Sequence, residues 1–218
     1  MYSNFLFIII SFFFCGFIIG QDLSINLNNR LNHLANNEVS NKNSFGGSLG
    51  VEYLSKRKII FGVNFLLNNY AFQTESLLFG CDLQNQILTK NSVAYIKHTD
   101  LYISVPIGVQ ILKKQKVYMS SGVEFMIPIN RSHNSKLLEC GDHNLSYDIS
   151  SDISNNSFIV SPFSKFGLNL SPKKIKLGLL IGFFMNKFDF SHSFQINQIK
   201  ARNYFVGFFL EKKIFNIK

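Results

Sequence analysis

The residues able to do metal or nucleophilic chemistry are few and loosely spaced. Cys140-Gly-Asp-His143 puts a thiol, a carboxylate and an imidazole close together, with His133 and Asp142 nearby. Those donors suit zinc, but a zinc centre needs regular ligand spacing on an ordered frame. Cys81 and Cys140 offer a different chemistry, a disulfide, if their Cα atoms come within bonding range. A barrel-embedded lipid hydrolase or acyltransferase needs a Ser, a His and an acid near one rim. His98, Asp100 and the serines of the polar segments do not reproduce such a set. The chain also lacks a Gly-rich phosphate loop, a GxSxG elbow, HExxH and CxxC. The expectation is a protein that is not an enzyme, with no metal centre and no cofactor.

The elements that would position any site are strands. The chain has 24 Phe and 8 Tyr but no Trp, and Gly (14) exceeds Pro (4). Such a mix of aromatic, β-branched and small residues argues against a helical protein. The stretch 101-LYISVPIGVQILKKQKVYMSSGVEFMIPI-129 carries the clearest pattern. Leu101, Ile103, Val105, Ile107, Val109 and Ile111 form one face, and Tyr102, Ser104, Pro106, Gly108 and Gln110 the other. Beyond Lys113, Lys114 and Lys116, residues 117–130 alternate again, with Pro128 and Asn130 on the polar face. A period of two marks strands rather than a spanning helix. Pro106 lacks an N–H, so a bulge or a break in pairing is expected there.

The same pattern recurs at 23–31, 45–53, 61–68, 164–171, 175–186 and 204–211, giving eight strands in all. The connections alternate in length. Long polar ones cover 32–44, 73–92, 131–156 and 188–200, and short ones 55–58, 113–116 and 172–174. This predicts an all-β fold, an eight-stranded antiparallel up-and-down transmembrane β-barrel. The apolar faces are large (Ile, Leu, Val, Phe), while the opposite faces are dominated by Gly, Ser and Asn, which suit the crowded interior of an eight-stranded barrel. The strands are often long enough for the roughly 9–11 tilted residues that cross a bilayer. A soluble lipocalin-like binding barrel is the inverse alternative, with Leu101, Ile103 and Val105 pointing into a cavity.

Charges on the small-residue faces define a candidate lumen network of Glu52, Glu124, Lys165, Lys176 and Glu211. Opposite signs allow pairing where a lone buried charge is costly. The network reads either as a polar plug or as a proton or ion path. The net charge of +9 is sorted along the chain. Lys56, Arg57, Lys58, Lys113, Lys114, Lys116, Lys173 and Lys174 gather at the short turns as a basic periplasmic rim. No aromatic-interleaved basic motif accompanies them, so no nucleic-acid partner is expected.

Residues 1–20, MYSNFLFIIISFFFCGFIIG, carry no charged side chain. They are expected to be a cleaved signal peptide, leaving 21–218 as the barrel domain. An uncleaved anchor and a lipoprotein site at Cys15 are the alternatives.

LYISVPIGVQI resembles the aromatic-x-x-x-Pro strand of the small outer-membrane β-barrel domain family that includes PorT-like proteins, of the OmpA and OmpX kind in fold. A short turn and a Gly-containing strand follow it, here Ser121-Gly122-Val123. NYFVGFFLEKKIF is similar to that family's closing strand, with Gly207 amid aromatics; the sequence departs from it after Phe215. The resemblance implies a barrel in the outer membrane of a Gram-negative bacterium, with periplasmic termini. Outer-membrane lipid and another envelope or secretion protein are the implied partners. It implies no single activity, although PorT-like members are associated with protein secretion.

Overall fold

The computed structural model describes residues 20–36, 39–42, 44–76, 92–113, 116–137, 158–171, 175–190 and 199–216. They form strands β1 (Gly20–Ala35), β2 (Val39–Asn41), β3 (Phe45–Ser55), β4 (Ile59–Ser76), β5 (Ser92–Lys113), β6 (Val117–Leu137), β7 (Ile159–Ser171), β8 (Ile175–Phe190) and β9 (Ile199–Asn216). Eight long strands pair antiparallel in the ring β1-β3-β4-β5-β6-β7-β8-β9, closed by β9 against β1. Closure leaves no sheet edge within the ring, as lipid requires. The short β2 pairs with β4 at Val39↔Thr74, prolonging that wall beyond β3.

The register fixes the stagger. From Asn26 on β1, paired neighbours run through Gly50 and Asn64 to Ser104 and Met126 on β6. In the other direction they run through Glu211, Lys176 and Asn169, whose N–H meets the carbonyl of Lys116. The two paths meet β6 ten residues apart, a shear of ten, which tilts the strands around the axis.

The outer surface of the ring is apolar. Leu27, Leu49, Phe65, Val109, Ile129, Leu168, Leu179 and Phe208 lie on eight different strands and are 47–59% exposed. Soluble monomers do not expose an apolar belt around their whole circumference. The inward neighbours Tyr102, Ser104 and Gln110 are buried, while Ile107, Val109 and Ile111 are exposed, Leu101 and Ile103 are half-buried, and Val105 alone of this outer row is buried. This is the reverse of a lipocalin-like barrel, so that alternative falls.

Several expected connections are strand instead. Residues 32–35, 39–41, 73–76, 131–137, 188–190 and 199–200 belong to the sheet, and β5 begins at Ser92; β7 and β9 also begin earlier than expected, at Ile159 and Ile199. At these ends apolar and polar residues follow no regular alternation, as in SVAYIKHTD at 92–100, so no period of two marks them in the sequence. Asn130 is also not lumenal. Leu101 pairs with Asn130 and Tyr102 with Pro128, so Ile129 is the extra residue of a bulge, and Asn130 is exposed.

Pro106 interrupts one ladder. Pairing of β4 with β5 runs to Phe61↔Ile107 and resumes at Asn64↔Ser104, whereas Pro106 keeps Glu124 as its β6 partner. Gly62 lies across the gap, and a Cβ there would stand 3.2 Å from the Pro106 ring. The ladder between β7 and β8 stops at Phe163↔Gly182, next to Pro162. The Asn186 amide takes over there, donating to the Phe158 carbonyl at 3.3 Å and accepting from Val160 N–H at 3.4 Å.

Candidate functional site: the charged lumen

The inward faces stack four polar groups along the lumen. Nearest the short turns, the Lys176 ammonium on β8 pairs with Glu211 on β9 and lies 4.3 Å from the centre of the Tyr118 ring. The Lys165 ammonium on β7 pairs with Glu52 on β3, with Phe163 and Phe209 at 5.8 and 5.6 Å. Both side chains of the Lys165–Glu52 pair are at most 5% exposed. The five expected lumen charges are all inward-facing, four of them in two pairs with one another.

Glu124 takes its partner from a residue outside that set. Arg30 Nη2 on β1 donates to Glu124 Oε2 at 2.7 Å, and the Ser104 hydroxyl donates to Oε1 at 2.8 Å. The guanidinium sits 4.5 Å from the Phe205 ring centre, a cation–π contact between two buried side chains. Arg30 was legible as a lone cation on the Asn-rich face of β1, opposite Leu27 and Leu31.

Above it lies a cluster that sequence reasoning missed. His98 Nε2 is 2.6 Å from Asp100 Oδ1, and the Tyr102 hydroxyl donates to the same carboxylate. Tyr70 stacks on His98, with ring centres 6.2 Å apart. The Asn203 amide donates to Asn32 and to the Tyr70 hydroxyl at 3.3 and 3.4 Å, and the Asn32 amide donates to Asn68 at 3.4 Å. This last bond crosses over β3 and requires Gly46. A Cβ at Gly46 would stand 2.2 Å from Asn68 Oδ1. The signal was the alternation of Asp100, Tyr102 and Ser104 carried one step further to His98.

Buried Leu34, Phe72, Phe184 and Ala201 lie toward the long-connection ends of their strands, beyond this cluster. Lumenal polar atoms without a protein partner include both amide atoms of Asn26 and Nε and Nη1 of Arg30. Such groups are the ones that internal water satisfies in folded proteins. The arrangement holds charge in place. The Ser104 hydroxyl serves Glu124, and the His98–Asp100 pair is buried away from solvent.

The remaining expected site residues divide by position. Lys56, Arg57, Lys58 and Lys116 are exposed at the short turns. Lys113 ends β5, while Lys114, Lys173 and Lys174 lie outside the described residues. Cys81, Cys140, Asp142 and His143 also lie outside them, and His133 sits opposite His98 in the β5–β6 register. Among the described residues no group of three or more His, Cys, Asp or Glu side chains is placed to hold a metal ion.

No protein-family profile and no curated protein matches the chain. Solved structures match at the level of fold. Neisserial surface protein A is 8% identical over 88% of this chain and 97% of its own, with a TM-score of 0.44. The Yersinia pestis outer membrane protein Ail is 9% identical over 89% and 99%, with a TM-score of 0.40. The Escherichia coli outer membrane protease OmpT is 7% identical over 89% and 94%, with a TM-score of 0.44.

Proposed function

We propose that this chain is a non-enzymatic outer-membrane β-barrel of a Gram-negative bacterium, with a structural or interaction role. Its lumen is a braced, side-chain-filled plug, and its long connections face outward. The observation that carries the reading is the pairing of a circumferential apolar belt with an ion-paired interior. The first and last strands both reach the short-turn end, where Asp22 pairs with Asn216 on one side and Leu54 on the other, and in this reading that end is periplasmic. Residues 1–20 are removed as a signal peptide, and Cys81 pairs with Cys140 in the oxidising exterior. Fractionation of cells expressing the full chain tests the location. Recovery in outer membranes after alkaline extraction supports it, and recovery in the soluble periplasm contradicts it.

A second reading is a component of a PorT-like secretion or transport assembly. It has in its favour the exposed cations of the β3–β4 turn, available to an acidic periplasmic partner. Crosslinking from Lys56 that captures no specific protein speaks against it.

A further inference from the structure

The geometry points to an annular binding surface for acidic phospholipid headgroups at the short-turn rim, built by Lys56, Arg57, Lys58, Lys116 and Lys212. The inference rests on the membrane reading above. All five side chains are exposed. At this end Lys213 is already engaged with Asp22, and among the described residues no acidic side chain there is exposed. The rim therefore carries surplus positive charge with no protein anion to meet it.

Lys212 gives the surplus its location. It lies on the outward face of β9, paired with Ile25 on one side and Ile175 on the other. Exposed Leu210 and Ile214 flank it along the strand. A lysine in that setting lays its methylenes along the belt and carries its ammonium to the headgroup level. The other four cations occupy the turns just beyond exposed Ile59 and Val117, at the same border of the belt.

The distribution selects the ligand. The cations stand on the β3–β4 turn, the β5–β6 turn and β9, so with β1 between them they span most of the ring. A protein docked on one side meets a single arc, whereas lipid surrounds the barrel. Phosphate-bearing lipids with net negative charge complement the ring, and each basic residue near an anionic surface strengthens association by about five-fold.

The test is lipid selectivity of the mature chain folded in phosphatidylcholine vesicles, read by spin-labelled lipids. The expected result is that spin-labelled phosphatidylglycerol is held at the barrel surface about three- to ten-fold more than spin-labelled phosphatidylcholine at low salt. High salt erodes that preference. Replacing Lys56, Arg57, Lys58, Lys116 and Lys212 together by Gln abolishes it. Replacing Lys42, Lys97 and Arg202, exposed toward the opposite end, by Gln leaves it in place. Equal association of the two lipids with the native chain overturns the inference. So does a preference that survives the five-fold variant, or capture of an acidic protein at these residues without lipid selectivity. Absence of any motionally restricted lipid, of either kind, instead contradicts the membrane reading itself.

Discussion

The Lys165 ammonium reaches across the lumen from β7 to the Glu52 carboxylate on β3, with both side chains buried. Strands β3 and β7 are not neighbours in the ring, so this pair ties opposite walls together. Removing one partner of a buried pair strands the other charge and costs about 3–5 kcal/mol. Lys165→Met and Glu52→Met are each expected to lower stability by that amount. The double variant recovers most of the loss, since an apolar pair of similar volume replaces both charges. Urea unfolding of the four proteins in vesicles gives the cycle, and additive losses speak against the pairing.

Gly46 keeps open the path by which Asn32 on β1 reaches Asn68 on β4. An alanine Cβ there meets Asn68 Oδ1 at 2.2 Å and the Leu67 carbonyl oxygen at 2.9 Å. Gly46→Ala is expected to destabilise the barrel by about 1–3 kcal/mol through overpacking. Gly47→Ala is the control, because its added Cβ has a nearest contact of 3.4 Å. Equal urea midpoints for the two variants contradict the tight crossing.

The β3–β4 turn carries a backbone penalty that substitution can relieve. Lys58 has φ of 65°, a left-handed conformation that costs most L residues about 1–2 kcal/mol. Its N–H donates to the Ser55 carbonyl at 3.0 Å, and the Ser55 hydroxyl accepts from the N–H groups of Arg57 and Ile59. Lys58→Gly is therefore expected to stabilise the fold by about 1 kcal/mol in zwitterionic lipid, where loss of the charge carries no lipid contribution. An unchanged or lower urea midpoint contradicts this.

Eight strands, their facing and the long–short alternation of connections were legible in the sequence. Membrane strands advertise themselves only within the apolar belt. Beyond it, as in SVAYIKHTD from Ser92 to Asp100, apolar and polar residues are mixed without alternation and the period fades. The bulge at Ile129 was hidden for a related reason. One extra residue leaves composition unchanged while turning Asn130 outward. The lumen charges could be assigned to a face but not to partners. Pairing of Arg30 with Glu124, or of Glu52 with Lys165, depends on the stagger of the ring, and no local pattern encodes it.

Depth along the belt sets the cost of an outward charge. Leu179 is 47% exposed well inside the belt, and Val117 is 40% exposed at its short-turn border. Leu179→Arg is expected to cost about 2–4 kcal/mol and Val117→Arg about 0–1 kcal/mol. Similar costs at the two positions speak against a bilayer around the barrel.

The direction of neighbouring side chains tests the account most directly. The chain has no tryptophan, so a single introduced one reports a single site. Phe208 is 57% exposed on the outer face, and Phe209 is 1% exposed in the lumen. Phe208→Trp and Phe209→Trp, each folded in vesicles containing brominated phosphatidylcholine, separate the two environments. The account predicts strong fluorescence quenching at position 208 and weak quenching at position 209. Equal quenching, or stronger quenching at 209, contradicts a barrel with its apolar face in lipid and its charges within.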